Sequence, residues 1–339
     1  MSIRWKAISA ALAVAVAALG VTACSNSSDD KNEITVYNAQ HESLTKEWVD
    51  AFTKETGIKV TLRQGGDTAL GNQLVAEGAA SPADVFLTEN SPAMALVENA
   101  GLFADVDKAT LDQVPAPFRP STGKWTGIAA RSTVFVYNKD KIAGDQLPAS
   151  LLDLAQPQWK GRWGAGVSGA DFQAIVAALL TLEGEDATKA WLKGMKDNAT
   201  AFPNNVATMK AVDSGQPDGG VIYHYYWYRD QANTKESSSH TGLHYFKKQD
   251  PGAFVSVSGG GVLKSSKKQE SAQKFLAFIT SKAGQEILRD GTSLEYPVAS
   301  DVAANPALPS LASLQAPAVD PSKLDAKKVT ALMTEAGLL

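Results

Sequence analysis

Apolar and polar positions along this chain switch between two periods. Ile34-Thr-Val-Tyr-Asn38 has the alternation of a strand, while Leu44, Trp48, Ala51 and Phe52 recur at helical spacing before Gly57 ends the run. Ile58–Leu62 predicts a second strand, Leu70, Leu74 and Val75 a second helix, Ala83–Leu87 a third strand, and Ser91–Asn99 a third helix. Strands and helices in this order require crossover connections, hence parallel pairing and an α/β layer.

A second region opens near Thr133, where Thr133–Asn138 reads as a strand able to cross between two bodies. The pattern predicts helices over Phe172–Leu182, Ala187–Asp197 and Thr208–Ser214, with strands at Val221–His224 and Leu243–Phe246. Ala253–Ser258 predicts a returning strand that ends at Gly259-Gly260-Gly261, and helices follow over Glu270–Thr280 and Gly284–Arg289. A chain that leaves one body and returns makes a two-strand hinge. No internal repeat is visible.

The N-terminus changes the compartment. Arg4 and Lys6 precede an apolar run, Ala7 to Val21, that is too short and small-sided to span a bilayer and fits the core of a secretory signal. It ends in Val21-Thr-Ala-Cys24, which resembles a bacterial lipobox, and Cys24 is the sole cysteine. The expected division is a signal peptide over 1–23, then a lipidated Cys24 with a polar tether over 24–32. A diacylated Cys24 would fix the chain on the outer side of the cytoplasmic membrane; a buried stray thiol is the alternative. The remainder is globular in composition, at 44% hydrophobic and 20% charged residues, and long enough for two lobes. A net charge of −4 with no basic stripe gives no footing for nucleic acid.

The densest chemistry lies in Tyr223-His-Tyr-Tyr-Trp-Tyr228, which holds four of the eight tyrosines and one of the four histidines. An aromatic core strand or a sugar-stacking surface could use such a run. Successive strand residues face opposite ways, however, so one core cannot bury all six. Ligands in open α/β sheets bind beyond the carboxyl ends of strands, and four such ends here present His41, Glu89, the turn Ser168-Gly169-Ala170, and Tyr225 with Tyr226. Each could be an ordinary surface or capping residue. Together they suit a hard, highly charged cation. Free phenol titrates near ~10, so only a strongly Lewis-acidic ion such as ferric iron displaces its proton at neutral pH. Two phenolates and a carboxylate balance a trivalent ion, with His41 neutral. The turn at 168–170 opens a helix and is suited either to an anion or to plain capping.

These residues resemble the ferric-ion-binding proteins of bacterial ABC importers, the bacterial transferrins. Ile34–His41 looks like that family's opening strand with its histidine, Ser81–Glu89 like its glutamate segment, and Tyr225–Tyr228 like its twin-tyrosine motif. Gln249–Ala253, Glu295–Val298 and Glu335–Leu338 also look familial. The resemblance implies a type II periplasmic-binding fold of two α/β lobes on a two-strand hinge, divided as 33–132 with 256–305 and 133–255 with 306–339. It implies His41, Glu89, Tyr225 and Tyr226 as ferric ligands. It implies Ser168, Gly169, Ala170 and Asn205 as contacts to a phosphate or carbonate, with Asn90 where a glutamine contact is common. Tyr223 and His224 depart from two asparagines of close relatives, and Thr133 from an arginine. The implied partner is a membrane permease, the expected state a monomer, and the expected role transport rather than catalysis. Binding of an oxyanion or small organic solute on the same fold is the competing reading. An exported hydrolase lacks a nucleophile motif.

Overall fold

The computed structural model describes residues 32–339. The expected signal peptide, Cys24 and the tether up to residue 31 lie outside the described residues. The strands are β1 (Glu33–Asn38), β2 (Lys59–Gln64), β3 (Val85–Leu87), β4 (Thr126–Asn138), β5 (Trp163–Ala165), β6 (Ala199–Ala201), β7 (Gly219–Tyr223), β8 (Thr241–His244) and β9 (Val255–Val262). The helices are α1 (Glu42–Thr56), α2 (Asp67–Glu77), α3 (Ser91–Asn99), α4 (Lys108–Leu111), α5 (Ala170–Glu183), α6 (Glu185–Asn198), α7 (Asn205–Asp213), α8 (His224–Ala232), α9 (Gln269–Thr280), α10 (Lys282–Asp290) and α11 (Ala326–Glu335).

The strand order is β2-β1-β3-β9-β4-β7-β5-β6, with β8 on β4. β1 pairs parallel with β2 and β3, as the strand–helix alternation requires. Its two faces enter different cores. Ile34 and Val36 pack with Trp48, Phe52 and Phe275, whereas Tyr37 packs with Leu74, Phe86 and Met94. Helices therefore cover both faces of this half. In the other half β5 runs parallel to β6 and β7. There α5 is apolar over most of its surface and is buried among Trp163, Trp191 and Leu332.

β4 belongs to both halves. Its first part, Thr126–Ser132, pairs with β9, and its second, from Thr133, pairs with β7 and β8. The Thr133 N–H donates to Phe254 O at 3.0 Å, so β4 and the chain entering β9 cross together between the halves. This is the expected two-strand hinge, and the architecture is the type II binding-protein fold.

Two expectations change. β9 does not end at Gly259 but runs on through Gly261 to Val262, because large side chains fill the space a β-carbon would need at these glycines. The aromatic run after β7 is helical: β7 stops at Tyr223 and His224 opens α8. Of residues 306–339, expected with the second lobe, Leu308 and Leu314 pack with Val114 and Ala130 behind the hinge, while Leu324, Val329 and Met333 join the core around α5.

Candidate metal centre

His41 lies between β1 and α1. It occupies the N-cap position of α1, yet its ring makes no capping hydrogen bond. Instead Nδ1 lies 3.1 Å from Glu89 Oε1 and Nε2 lies 3.7 Å from Glu295 Oε2. Burial resists the charged imidazolium, but Glu295 and Glu89 outweigh it and raise His41 above its usual value. Glu89 follows β3 and does not cap α3, whose N-cap is Asn90. Burial works against its carboxylate, but the His41 hydrogen bond and charge, with Arg131, hold it below the usual range. The ordinary capping role that either residue could have had is thus not the one its side chain performs.

Tyr225 and Tyr226 stand in the first turn of α8, with rings stacked at 4.2 Å between centroids. Helical geometry does what a strand could not, turning consecutive phenols towards the same space. The positive end of the helix favours negative charge there. Tyr225 is fully buried and its ring meets His41 edge-on at 5.1 Å, which joins the two halves of the cleft. Burial, then the charges of Asp171 and Glu89, push both phenols above their usual value, so each is protonated at neutral pH until something replaces the proton.

The expected anion residues are arranged differently. Ser168 is exposed, and the Gly169 N–H already donates to Gly166 O. Asn90 Nδ2 donates to Asp171 Oδ1 at 2.8 Å and Asn205 Nδ2 to Asp171 Oδ2 at 2.6 Å. Tyr226 Oη donates to the same Oδ2 at 3.0 Å. The amides expected to hold an external anion thus hold Asp171, whose pKa is raised by burial and by Glu89. Tyr223 Oη lies 3.3 Å from Asn90 Oδ1 and from Asp171 O. A cleft of about 250 Å³ opens beside them, lined by Glu89, Gly169, Ala170, Asp171, Asn205 and Tyr226.

Sequence reasoning missed Asp171, Arg131, Glu295 and Asp67. Asp171 follows the singled-out turn directly, and its acidic side chain in a first helical turn was a usable signal. Arg131 sits mid-strand and Glu295 in a distant loop, and neither announces itself. Asp67 accepts from the Glu89 N–H at 2.9 Å and is pushed up to about 8 by burial and by Glu89, which keeps it neutral at pH 7. Among the described residues no three His, Cys, Asp or Glu side chains form a metal-binding group; two of the four expected ligands, Tyr225 and Tyr226, are phenols and fall outside that kind of group.

A two-lobed binding protein with a phenol-rich interlobe site is the class that this fold and geometry define. Residues 80–323 match the bacterial extracellular solute-binding protein family, and the chain belongs to it. It is 66% identical over 306 residues to the Fe(3+)-binding periplasmic protein of Serratia marcescens, covering 90% of each chain. It is 36% identical to the major ferric iron-binding protein of Neisseria meningitidis serogroup B, covering 99% of both. The crystal structure of iron-bound HitA from Pseudomonas aeruginosa superposes with a TM-score of 0.85 at 41% identity, over 90% of this chain and 99% of that one.

Proposed function

We propose that this chain captures ferric iron between its lobes outside the cytoplasm and delivers it to the permease of an ABC importer. It is a transport protein and not an enzyme; its relatives are named for binding ferric iron. The observation that carries the reading is the meeting of the stacked Tyr225 and Tyr226 phenols with the His41–Glu89 pair from the other side of the cleft. We assign these four side chains as ligands. Phenolate and carboxylate oxygens form a hard donor set, and imidazole also suits iron. We assign the lobes as 33–132 with 256–305, and 133–255 with the part of 306–339 that carries α11; the Leu308–Leu314 stretch lies behind the hinge instead. Lipid on Cys24 would tether a monomer near its permease.

The seat expected for phosphate or carbonate is better filled from within. Asp171 already receives the Asn90 and Asn205 amides, and it lines the same cleft as Glu89 and Tyr226. Its carboxylate can stand where an external anion would, so added phosphate or carbonate is dispensable for capture. The same arrangement disfavours a free oxyanion or organic solute as cargo, because the amide donors are in use.

The test is metal content after loading purified protein from a weak ferric chelate, followed by desalting. One iron per chain is expected, displaced by gallium(III) and indifferent to excess calcium or magnesium. Retention of no iron, or equal retention of calcium, contradicts the reading.

A further inference from the structure

Beneath the proposed ligands lies a buried ion pair that the ligand set does not use. Arg131 on β4 and Glu295, just before the chain bridges to Ala130, are both fully buried and joined through Arg131 Nη2 and Glu295 Oε1. Glu295 Oε2 faces His41 Nε2 at 3.7 Å, an ion-pair distance without a hydrogen bond, and neither atom has another partner among the described residues. The Arg131 guanidinium carbon lies 5.6 Å from the Tyr225 ring centroid and 6.0 Å from that of Tyr223. Arg131 Nε and Nη1 and Tyr225 Oη are buried with no hydrogen-bond partner among the described residues. Orphaned buried donors are costly, and a buried pair is often replaceable by apolar side chains without loss of stability. Two unused N–H groups on a guanidinium that lies over the ring of a phenol with an unpartnered oxygen are better explained by a charge that the phenol acquires.

We infer that Arg131 and Glu295 are positioning residues for iron capture: Glu295 orients His41 from one side, while Arg131 steadies the Tyr225 phenolate from the other. The inference rests on the ferric reading above. Two phenolates, Glu89 and Asp171 would surround a trivalent ion with an excess of negative charge. Arg131 sets a positive charge against that excess on the Tyr225 side, while Glu295, its ion-pair partner, holds it there and places its own negative charge on the His41 side. The pair sits where β4 crosses between the halves, so it links the histidine of one lobe to the phenol of the other.

The two members act on the phenolate with opposite sign. In a phenolate-to-iron charge-transfer transition the phenolate is the electron donor. A nearby positive charge lowers the donor orbital and raises the transition energy. Arg131→Met removes that charge, so the band of the iron-loaded protein moves to longer wavelength. Glu295→Gln leaves Arg131 unneutralised, so the band moves to shorter wavelength. Each variant also loses about 10- to 100-fold in ferric affinity, the usual cost of outer-shell changes, while circular dichroism stays native. If Arg131→Met does not fold, the blue shift of Glu295→Gln decides alone. Folded variants whose bands stay in place, or shift in the same direction, overturn the inference. Absence of any band in the unaltered protein would instead contradict the ferric reading itself.

Discussion

Tyr225 and Tyr226 differ in what surrounds their oxygens. Tyr226 Oη donates to Asp171, whereas Tyr225 Oη has no partner among the described residues and the Arg131 guanidinium carbon lies 5.6 Å from the Tyr225 ring centroid. Tyr225→Phe therefore deletes an oxygen that the metal-free fold does not use, and Tyr226→Phe also frees one Asp171 acceptor. Either change should lower ferric affinity by more than about 100-fold, beyond the usual outer-shell cost, with little effect on melting temperature for Tyr225→Phe. Competition against a chelate of known strength measures the first, and thermal denaturation the second. Asp171→Asn makes a sharper case. It keeps the shape but removes the charge, so capture should become dependent on added phosphate or carbonate, while the unaltered protein stays indifferent to both. Equal dependence in the two proteins would return the seat to an external anion. His41, Glu89 and the tyrosine pair were legible in the sequence because each follows a strand. Asp171 was not, because a carboxylate at the start of a helix has an ordinary role with the helix dipole. Arg131 and Glu295 are 164 positions apart, and only the hinge brings them together.

The strands and helices themselves were legible to within a few residues wherever one apolar period persisted, as in α1, α5, α6 and α9. The period failed at the two places nearest the site. In α8 a dense aromatic run masks the helical repeat, because Trp227 and Tyr228 are as apolar as the buried Tyr225. In β9 three glycines read as a stop, yet each lies against a bulky partner. A β-carbon on Gly259 would collide with Met94 Cγ and lie 3.0 Å from Trp125 Cε3, and one on Gly261 would lie 2.7 Å from Phe103 Cε1. These are close-approach glycines, chosen for space rather than for turning. Gly259→Ala should accordingly destabilise the protein by about 1–3 kcal/mol through overpacking, measurable by denaturant unfolding. Because the clash is with Met94 Cγ, near the root of a fully buried side chain, and Trp125 closes the other side, the loss should lie nearer the upper end; no loss at all would contradict this packing.

Across the whole molecule, cargo and acid act on the same groups. Burial raises both phenols, so the metal-free protein carries their protons at neutral pH and ferric binding must release them. With at least the two phenol protons displaced per ion, affinity should fall by about 100-fold or more for each unit of acidification, and the raised His41 steepens it where that imidazole is charged. The fold has a separate acid limit. His224 is fully buried, accepts from the Ser132 N–H and is held down to about 3 by burial and by Arg131. It is neutral when folded but takes a proton near 6.5 when unfolded. The unfolded state thus binds more protons across that window. This contribution to stability is fully present above about 6.5 and is lost as pH falls towards about 3. Closure should track the metal: ligands from both lobes reward only the closed state, so small-angle scattering should give a smaller radius of gyration with iron than without. The most direct single measurement is a slow acid titration of the iron-loaded protein, following the visible phenolate-to-iron band together with far-ultraviolet circular dichroism. The account predicts that the band disappears first, with the dichroism still native, and returns when the pH is restored. A band that persists until the fold is lost, or that never forms on addition of ferric iron, would contradict it.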